Sequence, residues 1–149
     1  FGLAWLGDPT TAFWGIVIVF VWHQAGYLMV IYISSLTNVP KEIVEAAEID
    51  GASRWQMLRN ITIPLVMPAV TICLFLAISW AFKIFDINLS LTAGGPYKST
   101  ESVAMNIYNE AFQNNRYGLG TAKALLFFVT VAIITLIQVR FTKSKEVAA

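Results

Sequence analysis

Few side chains in this sequence could do chemistry, and their spacing favours binding over catalysis. Phe20, His23, Gln24 and Tyr27 fall at i, i+3, i+4 and i+7, one face of a helix. Imidazole and amide groups hydrogen-bond hydroxyls well. The same residues sit in a long uncharged run, where polar groups are costly and often mark a pathway. The alternative is that His23 and Gln24 simply bond a neighbouring helix. His23 is the only histidine, so no His-rich metal site or haem site can form around it. No Ser–His–Asp arrangement can be argued, because that histidine lies within a span. Cys73 is the only cysteine and sits in an apolar run, as a small packing residue would. No G-x-x-x-x-G-K-S/T stretch is present, so no loop is expected to cradle nucleotide phosphates. Gly118-Leu119-Gly120 begins like a dinucleotide fingerprint, but Lys123 takes the place of the third glycine and no strand precedes it. The expectation is a chain with no catalytic residue, no metal and no cofactor, which is not itself an enzyme.

The elements that must hold these residues emerge from composition and charge spacing. Of 149 residues, 57% are apolar and 13% charged, with a formal net charge of +1. Disorder needs the opposite balance, a nucleic-acid binder needs a clustered basic surplus, and a disulfide scaffold needs more cysteines. Residues 9–40, 60–82 and 124–139 carry no charge. A spanning helix takes about 20 apolar residues. The first two gaps reach that length, and the third does so if Gly118–Ala122 join it and Lys123 snorkels to the headgroups. Three spans are predicted, at about 11–36, 63–82 and 119–141. The competing soluble reading is three buried core helices. Basic residues flank the spans at Lys41, Arg54 and Arg59 and again at Arg140, Lys143 and Lys145, which places loop 37–62 and the tail in the cytoplasm. Segment 83–118 is then an external loop and helix. The chain starts at Phe1 without a signal-peptide pattern, so it is expected to be the C-terminal part of a longer polypeptide.

Loop 37–62 has the signals of a helix–turn–helix. Pro40 suits a first helical position, and Glu42 and Glu45 favour the helix N-terminus. Asp50 is expected to cap a second short helix, with Gly51 as the permissive turn. Trp55, Leu58 and Ile61 recur along that second helix, and Pro64 and Pro68 should disturb the entry to the next span. An amphipathic elbow lying in the lipid interface would have a similar composition. On the other side, Lys83 and Asp86 could pair at i, i+3 or contact an external protein. Ser99 or Thr100 is the expected N-cap of a helix with Glu101 in its first turn. Ala104, Met105, Ile107, Tyr108, Ala111 and Phe112 form its apolar stripe, and the helix should end near Asn114-Asn115.

Glu45-Ala46-Ala47, three residues, Gly51, nine residues, Ile61, one residue and Ile63-Pro64 closely resemble the EAA signature of permease subunits of binding-protein-dependent ABC importers. The departure is Ile63, where leucine is usual. Leu91-Thr92-Ala93-Gly94-Gly95-Pro96 followed by Ser99-Thr100-Glu101 resembles the external loop of the sugar-importing, maltose and glycerol-phosphate branch. The matches run from about Trp22 to Arg140.

The resemblance implies an all-α integral membrane fold, the C-terminal half of a six-helix permease in the bacterial or archaeal inner membrane. It implies that Glu45, Ala46, Ala47, Asp50, Gly51, Ile61 and Pro64 belong to a coupling segment docking into a separate ATP-hydrolysing subunit. Glu45 would be the polar anchor, the alanines would allow close approach, and Gly51 would permit the turn. Two ATPase subunits, a second permease subunit, an external binding protein, membrane lipid and a small sugar are the implied partners, with no nucleic acid among them. Sugar permeases of this kind hold substrate mid-membrane. By helical rise His23 lies about 20 Å above Leu36 and Trp80 about 24 Å above Pro64, so Phe20, His23, Gln24, Tyr27 and Trp80 form a candidate substrate path. Trp80 could instead belong to the interfacial belt. Rival functions are an importer of another solute, an intramembrane enzyme and a passive scaffold. The GGP loop, the lack of paired catalytic groups and the structured elbow argue against these in turn.

Overall fold

A computed structural model of the chain describes residues 4–144, and every regular element among them is helical. Helix α1 (Pro9–Thr37) begins where Asp8 caps it. The Asp8 carboxylate accepts from the N–H groups of Thr10 at 3.0 Å and Thr11 at 3.3 Å, and Pro9 takes the first position, where its missing N–H costs nothing. Short helices α2 (Lys41–Ile49) and α3 (Arg54–Met57) come next. A π-turn, Leu58–Thr62, joins α3 to α4 (Ile63–Phe82), so that 54–82 is one continuous helical stretch. Beyond it lie helices α5 (Asp86–Leu91) and α6 (Val103–Tyr108), then a second π-turn, Asn109–Gln113, and α7 (Tyr117–Lys143).

The three predicted spans coincide with α1, α4 and α7, each long and apolar enough to cross a membrane. Their most apolar stretches are only 6%, 22% and 6% buried. That outcome rules against three buried core helices. Apolar surface left in water costs roughly 25 cal/mol per Å², whereas lipid tails cover it without penalty. Lys145 lies outside the described residues; Arg140 and Lys143 stand in the last turn of α7, where cations complement the helix dipole.

The described residues fall into two compact units. The first comprises residues up to 25 with 77–134. Ala12, Ile16, Asn88, Thr100 and Met105 are buried there. An aromatic ladder runs Phe85–Tyr108–Phe112–Tyr117, with ring centres 5.2, 5.2 and 6.0 Å apart. Gly120 of α7 packs directly on Ala111: a Cβ at Gly120 would sit 2.7 Å from the Ala111 Cβ. The second unit comprises 26–76 with the residues from 135 on. Val66, Ala69, Thr71 and Cys73 are buried in it. Gln138 of α7 donates from Nε2 to the Thr71 carbonyl of α4 at 3.4 Å, and Cys73 shares a hydrogen bond with Tyr32 of α1.

Five expectations of the sequence are corrected. Asp50 does not cap the second short helix; it closes α2, and Ser53 caps α3. Neither Ser99 nor Thr100 caps α6, because Ser102 does, accepting from the Met105 N–H at 3.2 Å while its own hydroxyl donates to the Ile84 carbonyl at 2.6 Å. Thr100 is instead spent on the preceding turn. Lys83 and Asp86 form no ion pair among the described residues, since the helix breaks between them and the i, i+3 geometry is lost. Lys123 does not reach for headgroups: its Nζ donates to Asn106 Oδ1 at 2.8 Å and lies 3.4 Å from the Glu110 carboxylate. A local partner replaces snorkelling because α6 and its π-turn bring an acid alongside α7. Pro40 also stands one place before the helix, at the N-cap of α2. The helix beginning at α6 does end at Asn114, with Asn115 at φ 54°.

Candidate functional site: the elbow and a polar cavity

The elbow is a closed piece of backbone geometry. After α2 the N–H of Gly51 donates to the Glu48 carbonyl and that of Ala52 to the Ala47 carbonyl, each at 3.0 Å. With Asp50 as C-cap this pair is a Schellman motif, which needs a left-handed residue just past the helix. Gly51 supplies it at φ 76°. Two residues later a capping box starts α3. Ser53 Oγ accepts from the Gln56 N–H at 3.4 Å, and Gln56 Oε1 accepts from the Ser53 N–H at 2.8 Å. The chain therefore turns between two helices with almost no loose residue.

Pro64 shapes the entry into α4. A proline ring inside a helix clashes with the carbonyl four residues back and offers no N–H to it. The backbone widens just before it into the π-turn 58–62, in which the Ile63 N–H reaches back to Leu58. Ile61 lies within this turn and is half-buried. Pro68, by contrast, is accommodated inside α4.

Each predicted coupling residue can be placed. Glu45 and Ala46 are exposed on α2, and Ala47 is half-buried. Glu45 borders a cavity of about 550 Å³ with Leu36, Thr37, Val39, Lys41, Val44 and Thr62. The elbow leaves large apolar side chains open as well: Ile49 is 87% and Trp55 68% exposed, and Ile43 and Leu58 are also exposed. The elbow thus presents an alanine pair on α2 beside open apolar side chains.

The candidate path residues are partly brought together. Phe20, His23, Gln24 and Trp80 line one cavity of about 230 Å³ in the first unit, with Lys83, Ile84, Phe85, Asp86 and Ile87. Tyr27 is not among its lining residues and belongs to the second unit. Phe20 and Ile84 also line a neighbouring, mostly apolar cavity of about 350 Å³ that extends to Asn88 and Ser99–Ser102. The polar cavity thus presents an imidazole, an amide, an indole, an ammonium and a carboxylate. That set can bind hydroxyls through both donors and acceptors. Lys83 and Asp86 were not among the candidate path residues; their signal was their position directly after the span carrying Trp80. The Ser53–Gln56 capping box was also missed, although its S-x-x-Q spacing is a sequence signature.

The family described as a binding-protein-dependent transport system inner membrane component matches residues 1–147. A probable starch degradation products transport system permease protein, AmyD of Thermoanaerobacterium thermosulfurigenes, is 47% identical over 96% of this chain and 49% of its own length. The trehalose/maltose transport system permease protein MalF of Thermococcus litoralis is 36% identical over 91% of this chain and 46% of its own. The chain spans about half the length of these relatives. Among solved structures, a bacterial ABC transporter involved in the import of the acidic polysaccharide alginate matches with a TM-score of 0.84 and 23% identity, over 95% of this chain and 50% of that one. At that identity the likeness establishes the fold.

Proposed function

The chain belongs to the family of binding-protein-dependent transport system inner membrane components, and from that premise we propose that it is part of a permease subunit that imports a sugar with energy from a separate ATPase. The observation that carries the reading is the elbow 41–57, closed at Gly51 and Ser53 and open at Ile49 and Trp55. In this reading the elbow lies in the cytoplasm and docks on one of two ATP-hydrolysing subunits. Closure of those subunits on ATP drags the elbow, and the stiff helix continuous from Arg54 to Phe82 carries the displacement into the membrane. This is a two-state element biased by a ligand that prefers one state. ATP chemistry belongs to the partner. A second permease subunit and an external binding protein complete the assembly.

The cavity holding His23, Gln24 and Trp80 is the proposed passage for the solute, with Lys83 and Asp86 at the same cavity. The sugar class is supported by relatives whose names specify starch degradation products and trehalose or maltose. The test is site-directed crosslinking in the assembled complex. Single cysteines at Glu45, Ile49 and Trp55 should capture the ATPase, and more strongly in one nucleotide state than in the other. Labelling of these positions only from the external face, or no capture at any of them, would overturn the reading.

A further inference from the structure

The end of α1 next to the elbow carries polar groups that coupling does not use. Ser34, Ser35 and Asn38 border a cavity of about 440 Å³ in the second unit, walled by Ile31 of α1 and by Ala69 and Ile72 of α4. By helical rise Ile72 lies about 14 Å along α4 from Ile63, so the cavity reaches inside the span and is not confined to headgroup level.

Other hydroxyls in the spans are spent on their own helices. Those of Thr71, Thr130 and Thr142 donate to the Met67, Leu126 and Gln138 carbonyls at 3.1, 2.8 and 2.9 Å. A hydroxyl satisfied in this way is tolerated in lipid. The side chains of Ser34, Ser35 and Asn38 bond to nothing among the described residues. The sequence also sets them in a stripe. Gln24, Ile31, Ser35 and Asn38 fall at i, i+7, i+11 and i+14, so the helical repeat puts Ser35 and Asn38 on the side of α1 that carries Gln24. Met29 and Ile33, off that stripe, are apolar and 58% and 51% exposed. Free polar groups along one side of a span are costly against lipid and belong against water or a polar solute. Two hydroxyls and an amide offer donors and acceptors together, the complement of a carbohydrate hydroxyl. Neutral bonds of this kind are individually weak, so a solute held by them is also released.

We propose that Ser34, Ser35 and Asn38 form a weak hydroxyl-binding station for the carbohydrate on its way out to the cytoplasm. Its lining residues are different from those of the cavity that holds His23, Gln24 and Trp80. The inference rests on the function proposed above, in which the elbow that follows Thr37 is cytoplasmic.

The test is cysteine labelling of the complete transporter in inside-out membrane vesicles, with the unaltered complex, whose Cys73 is 3% exposed, as the blank. Ser34→Cys, Ser35→Cys and Asn38→Cys should react with a membrane-impermeant thiosulfonate about tenfold faster than Met29→Cys and Ile33→Cys, because the thiolate is the reactive form and lipid suppresses it. Maltotriose in the medium, at about twice a millimolar dissociation constant, should slow the reaction of Ser35→Cys about threefold. Lys143→Cys, away from the cavity, should not be slowed. Equal rates on and off the stripe would show that lipid or another helix covers it, and would overturn the station. Labelling of Ser35→Cys that maltotriose leaves unslowed would overturn it too. Failure of the function proposed above reads differently: in right-side-out vesicles the unaltered complex would then take up no sugar delivered by its external binding protein, and the inference would fall with it.

Discussion

Replacing Gly51 tests whether the elbow works as a rigid lever. Gly51 sits at φ 76°, and a Cβ built there meets nothing within 4 Å. Gly51→Ala therefore adds no clash, and its cost is purely that of a left-handed alanine, about 1–2 kcal/mol. That strain is released if the turn unwinds, so the ratio of built to unwound elbow should fall by roughly 5–30-fold. Asparagine tolerates this region better, and Gly51→Asn should lose markedly less. Gly51→Pro fixes φ near −65° and removes the N–H that reaches Glu48, so the turn cannot form as observed. The assay is substrate-stimulated ATP hydrolysis in the assembled complex, with membrane insertion monitored by immunoblot. Stimulation should rank glycine, asparagine, alanine and proline in falling order, with proline abolishing it and insertion intact throughout. Normal stimulation in Gly51→Pro would refute the lever. Equal losses in the alanine and asparagine variants would refute the assignment to backbone handedness.

Three further outcomes are expected. Gln24→Leu should reduce uptake about 2–10-fold, as loss of one neutral hydrogen bond would, while the subunit still assembles; unchanged transport kinetics would remove Gln24 from the path. Gly120→Ala should lower thermal stability by about 1–3 kcal/mol through overpacking against Ala111, and adding Ala111→Gly should restore most of it in a double-mutant cycle. Lys123→Leu should destabilise by about 1–3 kcal/mol, because among the described residues Glu110 then keeps only the more distant Arg116, at 3.9 Å; the double variant with Glu110→Gln should recover part of the loss in a melting experiment.

Much of the architecture was legible in the sequence because lipid imposes a one-dimensional rule. A segment that crosses must be apolar along its length, so the spans read from the charge gaps, 11–36, 63–82 and 119–141, fall within two residues of the ends of α1, α4 and α7. Gly51 was equally readable, since a left-handed residue after a helix is a local demand. The capping errors had a different origin. Asp50, Ser99 and Thr100 are all acceptable cap types, and the choice among candidates depended on which neighbour completed the hydrogen bonds. Ser53 won through Gln56, and Ser102 won through its bond to the Ile84 carbonyl, eighteen residues away.

The sequence by itself determined where the chain is apolar, where it must turn and which motif marks the elbow, because these depend on neighbours three or four residues apart. Only the tertiary structure decided which polar groups meet. It placed Lys123 against Glu110 instead of headgroups, brought Lys83 and Asp86 to the cavity of His23 and Trp80, and left Tyr27 outside it. Those outcomes depend on how α1, the end of α4 and α6 are placed around one another, and helix periodicity fixes a face without fixing the partner it meets.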